Sequence, residues 1–378
     1  MGRLRTGLIA AAVAALALAA APAGASPGMR VGLVESAGAY YGSPAEFYDL
    51  LAELRVQVLR VHLHWGGRLG VARRRPRRGA DPRDPAYDWR LYDRIVLEAA
   101  RRRVEIVFTI FGTPPWANGG APPTRAPRDA RRLEEFAYAA ATRYGGRFRR
   151  ADGRELPAVK LWIAWNEPNL RLGLVPQYRR VGGRWRIQSA VDYARICNAV
   201  VRGVHRSRLP GRRVACGATA PRGNDDPLAA KPSVSPLRFL RAVRAAGARG
   251  FDAYAHHAYY GAPSETPSTR PRGRTAVTLG NIDVLVRELT RLYGRKRVWI
   301  SEYGYQTSPE DSVYGVPWDV QAQYLTQAFR RARRHPRIDL MLWFLLTDEV
   351  RRNGWQSGLI SATGRRKPAF EAFRTLPR

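Results

Sequence analysis

Short apolar runs alternate with amphipathic stretches along the chain from Met29 onward. The apolar runs are continuous rather than interrupted at every second residue, which is typical of strands buried on both faces of a sheet. There are eight of them: "MRVGLVES", "VQVLRVHLHW", "VEIVFTIFG", "VKLWIAWN", "RRVACGATA", "FDAYAHHAYY", "RVWISEYG" and "IDLMLWFLL".

The stretches between these runs have the apolar spacing of helices. In "DWRLYDRIVLEAARRR", helical spacing groups Leu91, Ile95, Val96 and Ala99 on one face, and Asp88 is the predicted N-cap. The same rhythm recurs in "DARRLEEFAYAAATRYGG", "SAVDYARICNAVVRGVHRS", "SPLRFLRAVRAAGARG", "NIDVLVRELTRLYG", "DVQAQYLTQAFRRARRHP" and the short "KPAFEAFRTL".

Strict alternation of strands and helices predicts parallel strands joined by crossover helices. Eight such units predict an α/β fold, a single-domain (β/α)₈ TIM barrel with inserted loops over residues 29–378. The competing architecture is a doubly wound open sheet. It lacks support because no glycine-rich dinucleotide or phosphate loop follows the first run.

The first 25 residues have the pattern of a secretory signal peptide. Arg3 and Arg5 precede an apolar run, residues 7–20, and Ala23 and Ala25 form a small-residue cleavage site. The alternative is a membrane anchor, but the run is short for a span of about 20 residues. We therefore expect cleavage after Ala25 and a secreted, soluble protein without a membrane span.

The formal net charge of +33 is large, and arginine supplies nearly all of it, with sixty arginines against four lysines. A nucleic-acid binder is one interpretation. The arginines are spread along the whole chain, however, and the densest run, Arg73 to Arg78, has no nucleic-acid motif beside it. We expect no nucleic-acid partner, but weak attraction to anionic polymers of the cell envelope.

The chain has two cysteines, Cys197 and Cys216. In an oxidising compartment they can pair, and two unlinked buried thiols are the equal alternative. Neither has a metal-binding partner at a useful spacing, so we predict no zinc site.

Two glutamates stand where apolar runs end. Glu167 follows the fourth run in "LWIAWNEPNL", and Glu302 ends the seventh in "VWISEYGYQT". In a barrel the carboxyl ends of all strands face one mouth, so both carboxylates belong in one cleft. Hydrolysis of a glycosidic bond needs such a pair, one protonated and one ionised. Burial in apolar strands is expected to raise both pKa values, and mutual repulsion to separate them.

Polar neighbours refine this hypothesis. Arg60 interrupts the apolar second run, and a buried arginine needs a carboxylate partner, which we expect to be the nucleophile. The alternative is an arginine that points outward between helices. Asn166 is placed to hydrogen-bond a sugar hydroxyl, and Pro168 ends the strand so that the turn aims Glu167.

"WNEPN" together with "ISEYGYQT" resembles glycoside hydrolase clan A, the retaining (β/α)₈ glycosidases, over nearly all of the chain after the leader. "RVH", "TPPWA" and "WNEPNL" are most similar to family 39, with family 5 as the near competitor. The resemblance implies that Glu167 is the acid/base, beside Asn166, and that Glu302 is the nucleophile.

Five further assignments follow from the resemblance or from the residues. The resemblance matches Arg60 to the arginine of the second strand. It implies that His257 orients the nucleophile, that Tyr259 lines the subsite and that Trp343 forms the floor under the sugar. Trp116, after the turn in "GTPPWANGG", is a second platform candidate.

The remaining polar candidates receive minor roles. Supporting contacts to substrate hydroxyls are the most we expect from Glu35, Asp348 and Glu349. The histidines are expected in the core or behind the site: His62, His64 and His256.

The sequence thus predicts a secreted, monomeric retaining glycosidase that cleaves O-glycosidic, β-linked bonds of a poly- or oligosaccharide by double displacement, with no metal or cofactor. Xylosides, mannosides, glucosides and uronides are all compatible, as are endo and exo action. One alternative is a non-catalytic carbohydrate-binding barrel at the cell envelope. Another is a polyanion-binding protein that uses the arginines and neither glutamate.

Overall fold

Eight parallel strands close into one barrel in the computed structural model, which describes residues 26, 28–273, 275–352 and 354–378. The barrel strands follow one another in chain order, and the last pairs with the first. An antiparallel hairpin, β5–β6, is inserted after the fourth barrel strand. The strands are β1 (Arg30–Val34), β2 (Val58–His64), β3 (Glu105–Phe111), β4 (Leu161–Ala164), β5 (Tyr178–Val181), β6 (Arg184–Ile187), β7 (Arg213–Thr219), β8 (Ala253–His257), β9 (Arg297–Tyr303) and β10 (Ile338–Phe344).

Helices connect the barrel strands, so the predicted (β/α)₈ TIM barrel is confirmed, with one strand for each apolar run. Several helices begin with proline, which fits the first turn because it needs no backbone N–H there. They are α1 (Ala37–Tyr41), α2 (Pro44–Glu53), α3 (Arg90–Arg101), α4 (Pro115–Asn118), α5 (Ala130–Arg143), α6 (Gln188–Arg206), α7 (Pro236–Ala245), α8 (Ile282–Tyr293), α9 (Trp318–Arg334) and α10 (Pro368–Arg374).

The predicted N-cap of α3 is wrong by one residue. Trp89 occupies the cap position, and Asp88 lies just before it. The Asp88 carboxylate accepts the Arg90 backbone N–H at 3.3 Å and forms a two-pronged ion pair with the Arg90 guanidinium at 2.7 and 2.9 Å. Asp88 thus satisfies one backbone N–H of the first helical turn from the position before the cap.

The strands bury both faces, which explains their continuous apolar runs. One set of side chains fills the barrel interior, among them Val107, Ile163 and Trp299. The alternate set packs against the helices and includes Phe108 and Trp162. Because both sides of each strand pack in an apolar core, the hydrophobic pattern does not show which residues face the barrel interior.

Cys197 of α6 and Cys216 of β7 form a disulfide, with sulfurs 2.09 Å apart and Cα atoms 5.9 Å apart. Both residues are buried. The structure thereby decides between the two alternatives left by the sequence, and it ties one crossover helix to the strand that follows it.

The predicted signal peptide, residues 1–25, lies outside the described residues and stays a prediction. Within the described part of the chain, no helix combines the length and the apolar character needed to cross a bilayer.

We predict that replacing both cysteines by alanine lowers the free energy of unfolding by about 3 kcal/mol, because the unfolded chain regains the freedom of a loop of this size. Urea denaturation of wild type and Cys197→Ala/Cys216→Ala, each with and without reductant, measures the difference. Reductant is expected to destabilise wild type alone. Two titratable thiols in the unreduced, unfolded wild type would contradict the disulfide.

Candidate active site

The two glutamates meet at the carboxyl ends of the strands. Glu167 follows β4, and Glu302 is the penultimate residue of β9. A carboxylate oxygen of each lies within 4.8 Å of the other. The two side chains therefore lie close together, as the sequence analysis predicts.

A strained turn aims Glu167. Its φ is +42°, a left-handed conformation that non-glycine residues rarely adopt and that is typical of functional sites. Its backbone N–H donates to the Ala218 carbonyl at 2.9 Å, which ties the turn to β7. Gly173 packs so close beneath that an added Cβ would lie 2.1 Å from the Glu167 carbonyl. The turn thus depends on a glycine that approaches the backbone directly.

Arg60 is fully buried and holds the site together from β2. Its Nη1 donates to Glu302 Oε1 at 2.6 Å, and its Nη2 donates to Asn166 Oδ1 at 2.6 Å. Nε donates to Thr109 Oγ1 at 2.8 Å, and Nη1 also reaches the Ser301 carbonyl at 3.1 Å. The side chain points into the barrel mouth and not outward between helices, and its charge is compensated by a carboxylate.

His257 lies between the two carboxylates. Its Nδ1 is 2.8 Å from Glu167 Oε1 and 3.3 Å from Glu302 Oε2. Its Nε2 lies 3.4 Å from Arg60 Nη1, which can only donate. Nε2 must then accept, and Nδ1 carries the proton shared with the carboxylates. Burial lowers the pKa of His257 to about 3, so the ring is neutral.

The two carboxylates have different surroundings. Glu302 accepts from Arg60 and, at 3.0 Å, from the Tyr259 hydroxyl, and both bonds stabilise a negative charge. Glu167 has only His257 as a hydrogen-bond partner among the described side chains. Burial raises the pKa of Glu167 to about 7, although the charge of Arg60 opposes the shift. At mildly acidic pH, Glu167 is thus a protonated acid beside a hydrogen-bonded carboxylate.

Glu167, His257 and Glu302 also form the group that could hold a metal ion within the described ranges, each offering one ligand atom. The site's donor set argues against that role. The Arg60 guanidinium already bonds Glu302, and a cation bound there would lie against a fixed positive charge.

A cleft of about 980 Å³ opens over Glu167 and Tyr259. The loops after β4, β7, β8, β9 and β10 line it. Two exposed aromatic side chains line it, Tyr314 at 46% and Trp355 at 39%. The Trp355 ring lies 5.3 Å from that of Tyr259 and 5.1 Å from that of Phe344, centroid to centroid. The pattern of the sequence did not single out Trp355, because it lies in a loop with no periodicity.

The two predicted tryptophan platforms do not line this cleft. Trp343 is fully buried on the outer side of β10, and its indole N–H donates to the Ser357 carbonyl at 2.8 Å. Its neighbour Phe344 faces the barrel interior instead. Trp116 donates its indole N–H to the Ala72 carbonyl at 2.7 Å and packs edge-on against Trp65.

The three carboxylates that were expected to contact substrate hydroxyls lie in different surroundings. Glu35 is buried and accepts from the backbone N–H groups of Gly38 and Leu346, and burial raises its pKa. Asp348 forms a fully buried ion pair with Lys367, at 2.7 Å. Only Glu349 lines the cleft.

The three further histidines stand behind or beside the site, as expected. His256 is buried between Thr219 and the Val277 carbonyl. His62 and His64 lie side by side on β2, with ring centroids 5.8 Å apart. Burial lowers the pKa of both rings, that of His64 to about 4.

No protein-family model and no curated protein matches this sequence. Solved structures do match. A family 39 glycoside hydrolase from the gut symbiont Bacteroides cellulosilyticus WH2 is 17% identical, with a TM-score of 0.62 over 92% of this chain and 64% of that one. A glucosidase from Croceicoccus marinus is 16% identical, with a TM-score of 0.64 over 94% and 68%.

A monomeric β-xylosidase from Caulobacter crescentus CB15 is 18% identical, with a TM-score of 0.56 over 93% and 68%. The chain thus spans about two thirds of the length of these proteins, and slightly less in the first case. At such identities the likeness shows the fold. The chain has the (β/α)₈ barrel of these glycosidases, in agreement with the resemblance drawn from "WNEPN" and "ISEYGYQT".

We predict that Glu167 takes up a proton on folding between pH 4.5, its ordinary pKa, and about 7. The ionised, buried carboxylate then weakens the fold as the pH rises through this window. Relative to Glu167→Gln, wild type should lose up to about 3 kcal/mol of unfolding free energy between pH 4 and pH 8. Denaturation of both proteins over this range gives the difference. The infrared carbonyl band of the protonated acid, absent in Glu167→Gln, should titrate near pH 7, and a midpoint near 4.5 would contradict the assignment.

Proposed function

We propose that this protein is a retaining glycoside hydrolase. The observation that carries the proposal is the separation of the two carboxylates, whose oxygens lie within 4.8 Å. Retaining glycosidases hold their carboxyl groups roughly 5–5.5 Å apart, whereas inverting ones leave roughly 6.5–9.5 Å for a water. The shared barrel of known glycosidases supports the same reaction class.

In the first step, Glu167 protonates the leaving glycosidic oxygen while Glu302 attacks the anomeric carbon. The raised pKa of Glu167 keeps its proton available at mildly acidic pH. Arg60 and Tyr259 donate hydrogen bonds to the oxygens of Glu302 and orient the carboxylate. The glycosidic bond breaks, and a covalent bond forms between the sugar and Glu302.

In the second step, the now ionised Glu167 accepts a proton from water, which attacks the anomeric carbon and releases Glu302. Two inversions give net retention. In the first step the negative charge moves from Glu302 to Glu167. The neutral His257 lies within reach of both carboxylates and can hydrogen-bond the charged one without changing its own protonation. The chemistry needs no metal or organic cofactor.

Secretion is part of the proposal. The signal-like leader and the disulfide between Cys197 and Cys216 both suit an oxidising, extracytoplasmic location. We propose that the protein acts there as a monomer on β-linked poly- or oligosaccharide.

We predict that Glu302→Ala abolishes turnover of aryl β-glycosides and that Glu167→Ala lowers kcat by about 10²- to 10⁴-fold, because each removes one half of the double displacement. Added azide should rescue Glu167→Ala and yield a β-glycosyl azide, since azide needs no general base. The surface variant Glu46→Ala serves as the control.

A 2-fluoroglycoside separates the hydrolase from a non-catalytic carbohydrate-binding barrel. Intact-mass analysis should show one covalent adduct on Glu302 of the wild type. Undiminished hydrolysis by Glu302→Ala, or the absence of an adduct on a protein that binds the sugar, would refute the proposal.

We also assign the sugar platform to Trp355. Its exposed ring, steadied by Tyr259 and Phe344, offers an apolar face beside the reacting carboxylates. We predict that Trp355→Ala raises KM at least threefold with little change in kcat, because a platform binds ground state and transition state alike. Trp185→Ala, which removes an exposed tryptophan of the β5–β6 hairpin, should keep the wild-type KM. An unchanged KM in Trp355→Ala would rule the platform out.

A further inference from the structure

Two surface cavities outside the catalytic cleft lie side by side. They measure about 1000 and 440 Å³ and share Arg73, Asp88 and Arg90. We name this surface the arginine groove, bounded by residues 68–94, Arg143 and residues 148–151. It extends from the loop after β2, which leaves the barrel on the face of the cleft, to the end of α5 and the residues that precede β4.

The groove is strongly positive. Nine arginines line it against three aspartates, and no lysine or glutamate does. The aspartates are already engaged: Asp93 with Arg143 at 2.5 and 2.8 Å, and Asp88 with Arg90. Asp84 accepts from two backbone N–H groups of its own loop, which lower its pKa. These acids leave most of the positive charge uncompensated.

Four of the guanidinium groups have no carboxylate within 4 Å in the part of the chain that the structure describes: Arg68, Arg74, Arg83 and Arg94. They are nevertheless held in place. Arg74 donates to the Pro85 carbonyl at 3.2 Å. Arg83 lies 4.4 Å over the Phe148 ring and donates to a backbone carbonyl at 3.5 Å. Each keeps N–H donors free for an anion, because a guanidinium has five.

We propose that the arginine groove binds a linear, carboxylated polysaccharide. The fork of each guanidinium matches a carboxylate with two parallel hydrogen bonds. A groove suits an extended chain, whereas a lipid surface is flat. Five aromatic side chains line the groove, and each is at most 9% exposed, so they offer no platform for the stacking of nucleic-acid bases: Tyr40, Tyr87, Trp89, Tyr92 and Phe148. That the polymer is also the substrate of the cleft rests on the proposed function.

The test measures binding of oligogalacturonates of defined length by calorimetry. The protein carries Glu302→Gln, so that turnover plays no part. Arg74→Glu/Arg83→Glu should weaken binding at least tenfold, and affinity should fall with salt. A dextran oligomer of equal length should not bind the groove.

The matched control is Arg208→Glu/Arg249→Glu, which makes the same change in net charge. Both arginines are exposed and precede β7 and β8, at the opposite end of the barrel. This pair should bind within twofold of the parent. Thermal unfolding of each variant checks that it is folded.

Equal losses in the two charge-reversed pairs would mean that net charge alone attracts the polymer and would overturn the proposal. Unchanged binding by Arg74→Glu/Arg83→Glu would do the same. Tighter binding of a single-stranded oligonucleotide or of anionic phosphatidylglycerol vesicles, lost in that variant, would reassign the groove to another partner. Aryl-glycoside hydrolysis by wild type is assayed separately, so a failure of the proposed function leaves the binding result intact.

Discussion

The Arg60 guanidinium is the constraint on which the geometry of the candidate active site depends. A fully buried cation is tolerated only with a carboxylate and with acceptors for its remaining hydrogens. Glu302 supplies the charge, and Asn166 and Thr109 supply the acceptors, so that β2, β3, β9 and the turn after β4 are tied at one point. Because Asn166 and Glu167 are adjacent, the same cation sets the position of both glutamates.

The charge of Arg60 thereby gives Glu167 and Glu302 different electrostatic surroundings. Glu302 is close enough to bond Arg60 directly, whereas Glu167 feels it only through space while burial dominates its pKa. His257, kept neutral by burial, bridges the pair without adding a charge. In the proposed mechanism, the separation into acid and nucleophile follows from the unequal access of the two glutamates to a single guanidinium.

Folding gathers part of the large positive charge on one surface of the protein. Along the sequence the arginines are dispersed, and no segment marks a binding site. Folding brings the loop after β2 against the end of α5 and the residues that follow it, and there the arginines outnumber the acids threefold. The catalytic cleft itself carries charges of both signs. The proposed division is chemistry in the cleft and polymer binding in the groove.

The sequence by itself determined the eight strands, the crossover helices and the two glutamates, because apolar runs and strand-end carboxylates are local patterns. It also placed Arg60, His257 and Tyr259 near them. Only the tertiary structure decided that Phe344, and not Trp343, faces the barrel interior. A strand buried on both sides is apolar at every position, so its sequence does not show which residues point inward. The disulfide, the position of Trp355 in the cleft and the arginine groove were likewise decided by folding, because each depends on distances between segments that the order of residues does not contain.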